Sequence, residues 1–100
     1  MKRDKNLPLT ETTFYILLAL RQAGHGYVVM QRVEELSGGA MRIAAGTMYG
    51  ALEILMNKEL IYEVYTSDVR RKTYIISDYG KKVLNADCER MKHMLGVINK

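Results

Sequence analysis

The chain has 100 residues, 48% of them hydrophobic, and a formal net charge of +4 at neutral pH. That length supports one domain with a core of its own and leaves no room for a separate catalytic unit, while the apolar content excludes a disordered chain. Cys88 stands alone, which excludes an internal disulfide, and no apolar run reaches membrane-spanning length or forms a signal-peptide core, so a cytoplasmic protein without a membrane partner is expected.

The first helix is predicted to open at Leu9-Thr10, just after Pro8. Thr10 can cap it, and Leu9 sits where a hydrophobic staple would meet Phe14. Phe14, Ile16, Leu17, Leu18 and Leu20 almost surround its axis, so this helix should be central and covered on several sides. Ala23-Gly24-His25-Gly26 breaks it. A second helix is expected over residues 26–37, ended by Gly38-Gly39 because glycine takes the left-handed conformation cheaply. Met41-Arg42-Ile43 can add a short strand.

Gly46-Thr47 starts the third helix. On a wheel of 3.6 residues per turn, Met48, Ala51, Leu52, Leu55 and Met56 form a buried arc. Thr47, Gly50, Glu53, Asn57 and Lys58 fall opposite, with Tyr49 on the border. Gly50 costs about 1 kcal/mol relative to alanine inside a helix. A missing side chain on the outer face gives that cost a purpose, since it permits close approach to the backbone.

Residues 60–65 and 72–76 are rich in β-branched and aromatic side chains and read as two strands joined by a hairpin over 66–71. Residues 66–82 carry five cations, Arg70, Arg71, Lys72, Lys81 and Lys82, against Asp68 and Asp78. Lys2, Arg3 and Lys5 form a second cluster against Asp4. Ser77 then caps a last helix, with Asp78 well placed in its first turn. Along that helix Leu84, Cys88, Met91, Leu95 and Ile98 recur in steps of four, three, four and three, an a/d seam of just over two heptads. Such a seam either folds back on its own domain or packs on its copy, or on the first helix of a partner through Phe14 and Leu17. Dimerisation is favoured, because little of the domain is left to cover so long a tail.

Together these elements predict a mainly α (α+β) fold, a winged helix-turn-helix with a two-stranded wing and a C-terminal dimerisation helix. Residues 1–76 would form the DNA-binding domain, with 1–6 a flexible basic arm, and 77–100 the dimerisation helix. The expected partners are double-stranded DNA and a second copy of the chain. The candidate DNA contacts are Gly46, Thr47, Tyr49, Gly50, Arg70, Arg71, Lys72 and Tyr74. Thr47 and Tyr49 are expected to donate hydroxyls to phosphate near a helix N-terminus; the alternative for Tyr49, a half-buried ring beside Met48, is compatible with an outward hydroxyl. The three cations can neutralise backbone phosphates. For Tyr74, strand packing and a phosphate bond are equal readings. Few outward side chains suit direct base reading, so affinity should come largely from phosphate contacts and groove fit. His25, His93 and Cys88 lack metal-ligand spacing, His25 reading instead as a turn residue. No nucleophile–base pattern, phosphate-cradling loop or paired carboxylate appears, so neither an enzyme nor a cofactor is expected. Two rival readings are a winged helix used for protein–protein contact and a small-molecule-binding protein with secondary DNA binding.

Several motifs in order carry a family resemblance: Leu7-Pro8-Leu9-Thr10-Glu11-Thr12-Thr13-Phe14-Tyr15-Ile16-Leu17-Leu18-Ala19-Leu20, His25-Gly26-Tyr27, Val33-Glu34-Glu35-Leu36-Ser37-Gly38-Gly39, Gly46-Thr47-Met48-Tyr49-Gly50-Ala51-Leu52 and Arg70-Arg71-Lys72-Thr73-Tyr74. From residue 7 to about residue 80 the chain resembles the PadR-like transcriptional regulators. The resemblance implies a homodimeric repressor on an inverted-repeat operator, with the third helix in the major groove and the wing on backbone or minor groove. Its single C-terminal helix is similar to that of the short subfamily, where it mediates dimerisation. Some relatives release DNA on binding phenolic acids or flat aromatic drugs, which implies a small aromatic effector. Three positions depart from the pattern. Ile54 stands where a basic residue is frequent. Glu59 replaces a glycine before Leu60-Ile61, so the turn out of the third helix must differ or be strained. Met91 stands where some drug-binding relatives have an aromatic, and the chain has no Trp, which removes a tryptophan sandwich. Cys88, Met91 and Met94 can still line a soft, adaptable effector pocket.

Overall fold

In the computed structural model, which describes residues 3–68 and 70–100, Thr10 caps α1 (Glu11–Ala19) as the sequence predicts, its Oγ1 accepting the Thr13 N–H at 3.1 Å. Ile16, Leu17 and Leu20 are fully buried, so α1 is the central helix. Its C-terminal carbonyls are closed from a distance. The Arg32 guanidinium donates to the carbonyls of Ala19 (3.2 Å), Gln22 (2.9 Å) and Ala23 (3.1 Å). The last turn of α1 has no basic residue of its own, and Arg32 supplies that charge from α2 (Gly26–Leu36).

Gly38 (φ 64°) and Gly39 (φ 85°) end α2 through bonds from Gly38 N–H to the Glu35 carbonyl and from Gly39 N–H to the Glu34 carbonyl. The chain then turns into α3 (Ala45–Asn57). Met41-Arg42-Ile43 is not a strand, contrary to the sequence expectation. Ile43 is buried in the core and the Met41 N–H bonds the Ser37 Oγ at 2.9 Å, so the segment is anchored without a ladder.

The third strand comes instead from the glycine-rich break before α2. β1 (Gly24–His25), β2 (Ile61–Val64) and β3 (Thr73–Ile76) form an antiparallel sheet in the order β1-β3-β2. Gly24 pairs with Tyr74 and His25 with Thr73, while Ile61 pairs with Ile76 and Val64 with Thr73. The expected two-stranded wing, β2 and β3, is present, and β1 adds to its sheet a third strand of two residues, too short to leave a period-two pattern.

α3 ends in a Schellman turn whose left-handed residue is not glycine. Glu59 has φ 61°, its N–H bonds the Met56 carbonyl at 2.9 Å, and the Leu60 N–H bonds the Leu55 carbonyl at 3.0 Å. The strain foreseen at this position is therefore present. A non-glycine residue there costs about 1–2 kcal/mol, partly offset by the entropy glycine would add to the unfolded chain. Glu59→Gly should raise stability by about 0.5–1 kcal/mol, seen as a higher urea midpoint at constant slope. An unchanged or lower midpoint would show that the Glu59 turn is unstrained.

α4 (Asp78–Ile98) starts on Ser77, which accepts the Gly80 N–H at 2.9 Å. Ser77 also fastens α4 to the end of α3, donating its hydroxyl to the Glu59 carbonyl (2.7 Å) and its N–H to the Leu60 carbonyl (2.9 Å). Lower down, the buried Asp87 carboxylate accepts from Arg90 Nε (2.8 Å) and the Leu9 N–H (3.4 Å), tying the entry of α1 to α4.

Two expectations change here. Leu17 and Leu84 are spent in the core of the single chain, so they can support a dimer face only from beneath. Nor is the described part of the N-terminal segment a free basic arm. Tyr79 donates its hydroxyl to Asp4 (2.8 Å) and accepts from the Asn6 amide (2.9 Å), docking the turn on α4. The Asn6 N–H and then the Tyr79 hydroxyl hold the Asp4 carboxyl below its ordinary range, and Asp4 in turn raises the Tyr79 phenol. Met1 and Lys2 lie outside the described residues.

Candidate nucleic-acid interface

The wheel drawn for α3 matches its burial. Met48, Leu52 and Leu55 are buried, whereas Thr47, Gly50, Glu53 and Asn57 are exposed. A Cβ added at Gly46 or Gly50 would meet nothing within 4 Å, so the outward backbone is open. Ala44, the N-cap, offers no side-chain acceptor, and the N–H groups of the first turn project as donors beside the exposed Thr47 hydroxyl.

Across from α3 stands the β2–β3 hairpin, and between them runs a groove of about 770 Å³. Tyr49, Glu53 and Asn57 line one side of it and Arg70, Arg71 and Lys72 the other. Of the predicted contact residues, Tyr49 from the helix and Arg70, Arg71, Lys72 and Tyr74 from the hairpin thus share one concave surface, although Tyr49 and Arg70 are more than 20 positions apart in the chain, while Gly46, Thr47 and Gly50 are not part of its lining.

Tyr49 is packed on one side and open on the other. The ring rests on the start of α2, where a Cβ at Gly26 would lie 2.6 Å from its Cε1, yet the residue is 51% exposed. Tyr74 resolves toward packing. It is 6% exposed, and burial, followed by Glu63 and Tyr49, raises its phenol pKa. Of the two equal readings, burial at this depth favours strand packing, with Tyr74 forming part of the groove lining.

Asp68 organises the hairpin tip. Its carboxylate accepts the Arg70 N–H at 3.1 Å and lies 3.6 Å from Arg70 Nε and 3.9 Å from Arg71 Nε. Exposed pairs of this kind are worth under about 1 kcal/mol, so a phosphate can replace Asp68 at little cost. Arg71 Nη1 also reaches His25 Nε2 at 3.2 Å. Because guanidinium only donates, Nε2 of the imidazole is the acceptor in this contact. His25 is therefore more than the turn residue expected: it pairs in β1 and steadies Arg71 against the groove.

Sequence reasoning passed over Tyr27 and Arg42. Both are exposed and line a hollow beside the α2–α3 turn, with Arg42 held by Glu34. A cation immediately before the reading helix is the signal that could have found Arg42. Among the described residues, no group of three or more His, Cys, Asp or Glu side chains gathers as metal ligands, and no helix is long and apolar enough to cross a membrane.

The model of the transcriptional regulator PadR-like family matches residues 16–86. A search of the curated proteins found no match. Among solved structures, a PadR family transcription regulator from hypervirulent Clostridium difficile R20291 is similar with a TM-score of 0.75 and 25% identity, covering 90% of this chain and 96% of that one. A transcriptional regulator from Clostridium thermocellum, Cth-833, gives a TM-score of 0.72 and 25% identity over 89% of this chain and 86% of the other. Bacillus subtilis PadR in complex with operator DNA shares the fold, with a TM-score of 0.66 and 24% identity over 76% of this chain and 45% of that one.

Proposed function

Because the chain belongs to the PadR-like family of transcriptional regulators, we propose that it is a homodimeric cytoplasmic repressor that lays α3 into the major groove of an inverted-repeat operator. Members of this family are regulators and not enzymes. The observation that carries the DNA reading is the open outer face of α3 set across one groove from Arg70, Arg71 and Lys72. Gly46 and Gly50 let backbone approach DNA. The first-turn N–H groups, Thr47 and Tyr49 donate to phosphate, and the hairpin cations neutralise the neighbouring strand.

Homodimerisation is supported by the far half of α4. Met91 (36% exposed), Leu95 (62% exposed) and Ile98 (77% exposed) form an apolar stripe that the described residues leave largely open. A second copy, with Phe14 beside the stripe, would cover it and hold two α3 helices about one DNA turn, roughly 34 Å, apart. Of the three predicted effector residues on this tail, Met94 lines a hollow of about 620 Å³ together with Arg90, whereas Cys88 and Met91 lie on the seam face of the helix and are not part of its lining. A second subunit would enclose them, and a small aromatic effector would enter there.

Arg71→Ala tests the hairpin. It should weaken binding to all sequences alike and reduce the slope of log K against log salt by about 0.9 for each phosphate that the guanidinium neutralises in the wild type. The measurement is fluorescence anisotropy on a duplex from upstream of the gene and on an unrelated duplex of equal length, across a salt series. Unchanged affinity at low salt would remove the hairpin from the interface.

A further inference from the structure

We infer that Ile54 reads the C5-methyl group of a thymine, an assignment that rests on α3 entering the major groove. Ile54 is 56% exposed on the outward face of α3 and takes no part in the core cluster. It sits one turn after Gly50, where an added Cβ would meet nothing within 4 Å, and one turn before Lys58. The bulk removed at Gly50 leaves the Ile54 branch standing out from the helix. A β-branched side chain in a helix keeps essentially one χ1 rotamer, so the branch has a fixed shape.

An isoleucine cannot donate to phosphate, and it cannot accept from or donate to a base edge. In the major groove the one projecting apolar group is the thymine methyl, cytosine offering only a small C5–H beside its amino donor. Inserting Ile54 against any other edge would desolvate polar atoms without replacing their bonds. Asn57, a residue suited to adenine, lies three positions on along the same face, so the two side chains are fitted to an A·T-containing step. Thymine thereby becomes a specificity determinant on a helix otherwise poor in base-reading groups.

The test uses the full chain in a selection from a pool of random duplexes, carried out with wild type and with Ile54→Ala. The duplex enriched by wild type is then made with deoxyuridine replacing one symmetric pair of thymines at a time. Expected is one thymine pair at which uracil weakens wild type by about fourfold per half-site, the value of one methyl-sized group withdrawn from water. Ile54→Ala should bind the thymine and uracil duplexes equally, and Ile54→Val should keep the dependence. The inference is overturned if Ile54→Ala loses the same factor as wild type at every thymine, or if the enriched duplex has no fixed thymine. A pool from which wild type enriches nothing sinks the groove reading itself, a result distinct from enrichment without methyl dependence.

Discussion

Gly80→Ala should destabilise the protein by about 3 kcal/mol or more, the upper end of overpacking penalties. A Cβ at this position would lie 2.1 Å from the Leu60 carbonyl oxygen, 2.8 Å from Ile76 Cγ1 and 3.1 Å from the Leu60 carbonyl carbon. None of these can step aside cheaply. The Leu60 carbonyl accepts the Ser77 N–H and follows the strained Glu59 turn, while Ile76 is buried in β3. The gain of about 1 kcal/mol in helix propensity from glycine to alanine is too small to reverse the sign. Urea unfolding followed by circular dichroism measures the effect. A loss below about 1 kcal/mol would mean that α4 can lift from the end of α3 without breaking the joint.

The second large effect is expected in assembly. On the proposed homodimer, Leu95→Asp should leave the protomer folded, because Leu95 is largely exposed in the single chain, yet it should abolish dimerisation by placing a charge in the apolar seam. Each α3 helix would then engage its half-site alone. The affinity for a two-half-site operator should fall by about 10²–10⁴, the gain that linked binding provides, while affinity for an isolated half-site should barely change. Sedimentation velocity and anisotropy on whole and half operators measure both quantities. A variant that stays dimeric would move the interface away from the far half of α4.

The elements of this fold that repeat along the sequence were legible from it. The inner arc of α3 follows a 3.6-residue period, and each of its predicted faces lies where the wheel put it. The Thr10 and Ser77 caps were readable because a cap acts on its own first turn. Features made across long separations were not. Arg32 looks like an ordinary helix-surface cation until the end of α1 comes under it, and Tyr79 meets Asp4 only across a separation of 75 positions in the chain. β1 was invisible because its two residues gain their partner, β3, from the other side of the domain. In the groove, charge and helical phase pointed to Arg70, Arg71, Lys72 and Tyr49, all of which line it. Tyr74 was ambiguous because alternation along a strand does not say how deeply a ring on it is buried.

Ser77 and Gly80 give the molecule a mechanical property that no single contact conveys. With the base of α4 riveted to the exit of α3, tail and probe behave as the two arms of a bell crank pivoting at residues 59, 60 and 77. In the proposed homodimer, a few degrees of rotation between the two tails would be delivered as a change in the pitch and separation of the α3 helices, with each protomer's interior left as it was.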